Sequence, residues 1–159
     1  MSARRNGASG NKHGVAITGI GAVTPIGHGA EGLWEGVRRG HSAVRTITRF
    51  DASALPSQMA AEVEFDPLTV LDQRELRRLD RYSMFAVAAA KMALEDAGLT
   101  AAEAQGANAG VNIGTALGGT AFGEEQHKIY IERGPRAVSP LLALSVFGGA
   151  GSSNVAMNL

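Results

Sequence analysis

Two short apolar runs, each followed by a glycine cluster and separated by a long helical region, constrain the fold more than any other feature. The first covers residues 14–20 and leads into "GAVTPIGHG"; the second covers residues 108–116 and leads into "LGGT". Nearly continuous apolar runs are typical of strands buried on both faces. Between them, residues 68–97 are predicted to be two helices or one bent helix, ending at Gly98. Strands separated by long helices predict an α/β fold with a parallel or mixed sheet.

Further helices are predicted on either side of this central region. Residues 30–39 carry Leu33, Trp34 and Val37 at helical spacing, which predicts one buried face, and Gly40 suits the helix end. The other predicted segments are a helix at 123–133 stopped by Gly134-Pro135, a helical segment after Ser139-Pro140, a loop at 41–57 and a strand or extended arm at 59–66.

The charge balance and the residue types exclude several classes of partner and site. Lys and Arg number 15, as do Asp and Glu, so the chain has no net field that would attract nucleic acid. The absence of cysteine excludes disulfides, thiolate metal sites and a thiol nucleophile within these residues. The four histidines are far apart and show no metal-ligand spacing.

Both termini bear on localisation and completeness. Residues 1–13 are polar and basic, without the apolar core of a signal peptide, and are predicted to be a disordered tail of a cytoplasmic protein. Residues 137–159 are uncharged and long enough to span a bilayer, but their Pro, Ser, Gly and Asn favour a buried helix of small residues. The chain ends on "NVAMNL", in the middle of a helical pattern, and is expected to be incomplete.

The first glycine cluster invites comparison with a dinucleotide-binding turn. That turn requires G-x-G-x-x-G directly before a helix, and an acidic residue about 20 positions later. Here Gly19 and Gly21 lack the third glycine, and Pro25 prevents a helix from starting at the required point. The alternative is a tight turn that lets a strand pack under a helix.

Six stretches together resemble the β-ketoacyl-acyl carrier protein synthases, in particular the elongating type II branch. They are "VAITGIGAVTPIG", "WEGVRRGHSAV", "ITRFDAS", "RRLDRYSMFAVAAAKMALEDAGL", "NIGTALGGTAFGEEQH" and "GPRAVSPLLALS". The resemblance implies a thiolase-like fold of α-β-α-β-α layers, of which residues 14–159 would form an incomplete N-terminal half. It also implies a homodimer, or a heterodimer of a ketosynthase with a chain-length factor.

The family condenses acyl and malonyl units in fatty-acid or polyketide synthesis. A cysteine at a helix N-terminus takes the acyl group, while two histidines and a lysine support decarboxylation and attack. No residue of this chain is assigned any of these catalytic roles, so the chain is expected to be inactive alone. No metal or other cofactor is implied, since phosphopantetheine arrives on the carrier protein.

The clearest candidate binding residues are arginines in "DQRELRRLDRYS". One continuous helix would place Arg74, Arg77, Arg78 and Arg81 on one face, opposite Leu76 and Leu79. The arginines could form a solvated face or a docking patch for an acidic partner. The resemblance assigns Arg74, Arg77 and Arg78 to the contact with acyl carrier protein.

Two leucines are candidates for the acyl pocket. The resemblance places Leu117 at the back of that pocket, beside the dimer partner, and Leu142 at a mobile gating position. The alternative for both is an ordinary core position. His127 is predicted to be structural, as are Trp34 and Phe85.

Two non-catalytic functions remain open. A chain-length factor shares the fold, lacks the nucleophile and pairs with an active synthase. A stand-alone binding or scaffold domain is disfavoured because the apolar C-terminal segment would form an exposed patch.

Overall fold

The computed structural model describes residues 14–105 and 109–159, and residues 1–13, with their predicted tail, lie outside them. Most of the regular structure in the described residues is helical. The helices are α1 (Gly29–Arg39), α2 (Gln73–Leu76), α3 (Arg81–Asp96), α4 (Ala101–Gln105), α5 (Thr120–Arg133), α6 (Leu142–Val146) and α7 (Ala150–Asn158), with 3₁₀ turns at Pro67–Thr69 and Pro135–Ala137.

Short antiparallel hairpins provide the hydrogen-bonded strands of this part of the chain. β1 (Val23–Thr24) pairs with β2 (Gly27–His28), and β3 (Arg45–Thr46) pairs with β4 (Met59–Ala60). Pro25 lies in the turn of the first hairpin, where its fixed φ is tolerated and its missing N–H is not needed. The first hairpin leads directly into α1, and the second lies between α1 and α2.

Within the described residues, neither apolar run forms a helix or a strand, and neither is hydrogen-bonded into a sheet. Val15 and Ile17 are 99% and 85% exposed, so the prediction of a buried strand at 14–20 is wrong for this structure. A strand needs a neighbour whose N–H and C=O groups complete its ladder. Instead of pairing, both runs line one cavity of ≈ 570 Å³ beside α3 and α7.

The main hydrophobic core lies where α3 packs against α7. Its buried side chains are Leu71, Leu79, Val87 and Val155. The core therefore joins the centre of α3 to the C-terminal helix and to the segments on either side of α2. This packing fixes the position of the loop and turn that precede α3.

The first glycine cluster packs against α3. A β-carbon built at Gly21 would lie 2.7 Å from the backbone nitrogen of Ala93, and one at Gly19 would lie 2.8 Å from the Ala97 side chain. The backbone N–H of Ile20 donates to the Asp96 carboxylate across 2.8 Å. The close approach confirms the packing role predicted for these glycines and leaves no space for a nucleotide between them and the helix.

Helix α1 packs through glycine rather than through its large apolar residues. Trp34 and Val37 are 64% and 55% exposed, so their predicted burial is wrong, whereas Leu33 is half-buried. Gly36 is buried, and a β-carbon there would lie 2.8 Å from the Ile26 side chain. The small residue lets the helix backbone approach the β1–β2 turn closely.

We expect Gly36→Ala and Gly32→Ala, one helical turn apart in α1, to have opposite effects on stability. Both alanines favour the helix, by roughly 0.5 to 1 kcal/mol. At Gly36 the new methyl overlaps Ile26, and we expect a net loss of about 1.5 kcal/mol. At Gly32 the nearest atom is 3.4 Å away, an ordinary contact, so Gly32→Ala is the matched control and should be stabilising. Thermal unfolding of the full-length protein measures both; equal shifts would contradict the described seating of α1.

Several predicted helix boundaries are confirmed. Gly40 and Gly98 adopt left-handed φ values of 65° and 67° at helix ends, and α5 stops before Gly134-Pro135. The uncharged residues 137–159 form the two short helices α6 and α7 rather than one long helix. Within residues 14–105 and 109–159, no helix has the length and apolarity needed to cross a membrane.

Candidate functional site

A single helical turn presents the candidate arginines. We define the arginine turn as residues 73–78, which comprise α2 and the two arginines after it. Asp72 caps α2: its carboxylate accepts the backbone N–H groups of Arg74 and Glu75, each across 2.7 Å. The Glu75 carboxylate accepts the backbone N–H of Asp72 across 2.6 Å, which completes a capping box.

The three arginines of the turn lie on the surface. Arg74, Arg77 and Arg78 are exposed, and none forms an ion pair within the part of the chain that the structure describes. Leu79 is 7% exposed in the core, and Leu76 packs against the same cluster. The predicted separation of arginines from leucines is therefore confirmed for these residues. Their role in docking stays a prediction.

Arg81 does not extend this surface, so the prediction of one continuous arginine face is wrong. The helix breaks after Leu76, and Arg81 begins α3. Its guanidinium lies 4.6 Å from the Phe85 ring centroid and donates to the Val63 carbonyl across 3.1 Å. Burial, and to a smaller extent the charge of Arg49, lowers the pKa of Arg81. These contacts join α3 to the segment after β4.

Hydrogen bonding stabilises the charged form of the Asp72 cap. The backbone N–H of Glu75 holds the Asp72 pKa below its ordinary value; the N–H of Arg74 and the charges of Arg74 and Lys91 act in the same direction. A depressed folded-state pKa stabilises the fold above the ordinary pKa of an aspartate. This contribution is lost as the pH falls through the lowered value, so the Asp72 cap is expected to weaken in acid.

An ion pair that was not predicted ties the turn to α3. The Lys91 ammonium lies 2.6 Å from a Glu75 carboxylate oxygen and 3.4 Å from the Val70 carbonyl oxygen. The signal for it in the sequence is weak: Lys91 interrupts the alanine-rich centre of α3, where a lone charge needs a partner. Sequence periodicity alone could not identify that partner, because it lies on another helix.

The structure places the two pocket leucines in different surroundings. Leu142 lines a cleft of ≈ 350 Å³ between α5 and α6, whereas Leu117 is 73% exposed in the turn before α5. The neighbouring Gly119 approaches α6 closely, since a β-carbon there would lie 3.0 Å from the Ser145 carbonyl carbon. Gly119, in the second glycine cluster, thus lets the turn before α5 pack closely against α6. The described residues do not bring both leucines into one cavity, and their pocket roles stay predictions.

The remaining candidates show no catalytic arrangement. His127 is exposed on α5 and lines the same cleft as Leu142. Within the described ranges, no group of three or more His, Cys, Asp or Glu residues is placed to hold a metal ion.

Comparison with known proteins gives a consistent result. A family model described as "Beta-ketoacyl synthase, N-terminal domain" matches residues 12–159. A 3-oxoacyl-(acyl-carrier-protein) synthase 2 from Coxiella burnetii is 42% identical over 130 residues, which are 81% of this chain and 31% of the relative. The protein of the same name from Synechocystis is 38% identical over 149 residues, which are 93% of this chain and 36% of the relative.

A solved structure supports the same assignment. The ishigamide ketosynthase/chain length factor superposes with a TM-score of 0.75 at 33% identity, covering 89% of this chain and 36% of that one. The described helices and hairpins thus have the arrangement of part of a thiolase-fold ketosynthase. The chain spans about a third of the length of the curated relatives that it matches.

Proposed function

The chain belongs to the β-ketoacyl synthase family, as part of its N-terminal domain, and we propose that the full-length protein joins acyl and malonyl units carried on acyl carrier protein. The acyl group passes from the carrier thiol to an enzyme cysteine, as a thioester. The malonyl thioester loses carbon dioxide, and its carbanion attacks the acyl-enzyme carbonyl. A carbon–carbon bond forms, the carbon–sulfur bond to the cysteine breaks so that the cysteine leaves as a thiolate, and the β-ketoacyl product remains on the carrier protein.

The exposed arginine turn is the observation in this chain that carries the proposal. Its three arginines are close together in sequence and exposed on the surface. Within the described residues, no carboxylate forms an ion pair with them. A cluster of this kind attracts and orients an acidic protein. The curated relatives are named as synthases acting with acyl carrier protein, an acidic protein by the family resemblance. We therefore propose Arg74, Arg77 and Arg78 as the docking residues.

The remaining properties of the full-length protein follow from the same proposal. It would need no cofactor bound to this chain, because the phosphopantetheine arm belongs to the carrier protein. We propose a homodimer in the cytoplasm. The exposed apolar residues of the turn before α5 and of α6, among them Leu117 and Leu144, are suited to an interface.

Reconstitution tests the reaction. The full-length protein is incubated with acyl- and malonyl-carrier protein, and released carbon dioxide and β-ketoacyl-carrier protein are measured, the latter by mass spectrometry. We expect both products in equal amounts. Neither product forms if the proposed reaction is wrong.

A chain-length factor is the second candidate, favoured by the similarity to a structure that contains one. It predicts no product from the protein alone and restored product when an active ketosynthase subunit is added. The residue at the nucleophile position of the full-length protein distinguishes the two: cysteine supports the synthase, and any other residue supports the chain-length factor.

We expect Leu117→Phe to shorten the acyl chains that the full-length protein produces. Leu117 is 73% exposed, so a larger ring disturbs no described core contact but would fill the back of the proposed pocket. Product lengths are compared by mass spectrometry with Leu55→Phe, the same change at an exposed leucine between β3 and β4. Unchanged lengths in Leu117→Phe, or equal shortening in both variants, would refute the pocket assignment.

A further inference from the structure

The ion pair between Lys91 and Glu75 is positioned to control the arginine turn. The pair spans 2.6 Å, and the two side chains are only 27% and 17% exposed, so water screens it less than the other ion pairs of the described residues. The Lys91 ammonium also donates to the Val70 carbonyl, just before the turn. Lys91 of α3 thus contacts both the segment before the arginine turn, through Val70, and the turn itself, through Glu75.

The arginine turn cannot hold its own shape. Helix α2 has four residues, and a helix of one turn is unstable in isolation because nucleation costs more than a single hydrogen bond returns. The Asp72 cap closes its beginning, and Leu71 and Leu79 anchor its flanks in the core. Between these anchors, Leu76 packs its side chain against the core, and Lys91 adds the polar contact that holds the rotation of the turn through Glu75. That rotation determines where the neighbouring guanidiniums point.

We propose that Lys91 and Glu75 form a positioning pair, which holds the arginine turn in the orientation that binds an acidic carrier protein. The inference rests on the proposed function, because it requires the turn to be the docking site. Neither residue needs to touch the partner. Glu75 has its carboxylate occupied by Lys91 and by the Asp72 N–H, and Lys91 lies between two helices.

The pair should act on dissociation rather than on association. Long-range attraction depends on the number of exposed charges, which persists when the turn loosens. The short-range fit of the guanidiniums to carboxylates depends on their orientation, and its loss appears in the dissociation rate. A residue that only stabilised the fold would change neither rate once the folded fraction was accounted for.

The test measures both rate constants for acyl-carrier protein binding to the immobilised full-length protein. We expect Lys91→Met and Glu75→Gln each to raise the dissociation rate about fivefold while the association rate stays within about twofold. The double variant keeps the net charge of the wild type; it should dissociate no faster than either single variant, since the pair acts as one unit. Lys91→Arg retains the charge and the ion pair and should restore dissociation to near the wild-type rate.

The outcomes separate this inference from the proposed function. If Arg77→Glu weakens binding but Lys91→Met and Glu75→Gln leave the dissociation rate unchanged, the positioning role is wrong and the docking site stands. If Arg77→Glu also has no effect, the docking site is wrong. If the charge-neutral double variant dissociates at the wild-type rate while Lys91→Met binds more slowly, Lys91 acts as an exposed charge, and the positioning role is again overturned.

Discussion

Replacing Gly21 by alanine is expected to destabilise the protein more than Gly36→Ala does. A β-carbon at this position would lie 2.7 Å from the Ala93 backbone nitrogen and 2.8 Å from the Ala89 carbonyl carbon. Backbone atoms in the middle of a 16-residue helix cannot move aside as a flexible side chain can. Either α3 must shift from α7, which opens the core, or residues 14–22 must detach.

We expect a loss of about 3 kcal/mol, the upper end of the range for overpacking. Thermal unfolding of the full-length protein should show a midpoint lowered by roughly 3 °C. Gly14→Ala is the control, because a β-carbon there meets no atom within 4 Å. A wild-type midpoint for Gly21→Ala would contradict the seating of the first apolar run against α3.

Arg77→Glu is expected to raise the KM for acyl-carrier protein about tenfold at low salt, with kcat retained at saturation. The substitution replaces an exposed positive charge of the arginine turn by a negative one, so an acidic partner meets repulsion where it met attraction. The Arg77 side chain contributes no described ion pair or core contact, so the fold should be preserved. The difference from wild type should shrink as added salt screens both charges.

The control for this variant is the same charge reversal elsewhere. Arg38→Glu changes an exposed arginine on α1, which pairs only weakly with Glu35 on the surface. If docking depends on the arginine turn, Arg38→Glu leaves the KM near the wild-type value. An equal rise in both variants would show that only the total charge matters, and an unchanged KM in Arg77→Glu would refute docking at this turn.

Local signals in the sequence predicted much of the helical structure, because they depend on residues close together in the chain. Helices end at Gly40, at Gly98 and before Gly134-Pro135 because of the backbone conformations that glycine and proline prefer. The burial of α1 depends instead on how closely the helix packs against the hairpin that precedes it. Trp34 has the spacing of a core residue, yet α1 packs through Gly36, since a close backbone approach excludes large side chains.

The candidate docking site shows the same difference between local sequence signals and contacts with other parts of the chain. The three arginines of the turn are exposed while Leu76 and Leu79 pack in the core, as local periodicity predicts, but the helix ends after Leu76. Arg81 therefore belongs to α3 and stacks on Phe85, a contact that periodicity across the break could not anticipate. Lys91 and Glu75 are 16 positions apart. Only the packing of the arginine turn on α3 brings them together.

The most direct test compares two carriers for the same acyl group. The full-length protein is given acyl-carrier protein or acyl-coenzyme A, and kcat/KM for condensation with malonyl-carrier protein is measured over a range of salt concentrations. We predict a kcat/KM at least about tenfold higher for acyl-carrier protein at low salt, falling toward the coenzyme A value as salt screens the arginine turn. Equal kcat/KM values for the two carriers at every salt concentration would contradict carrier-protein docking on this surface.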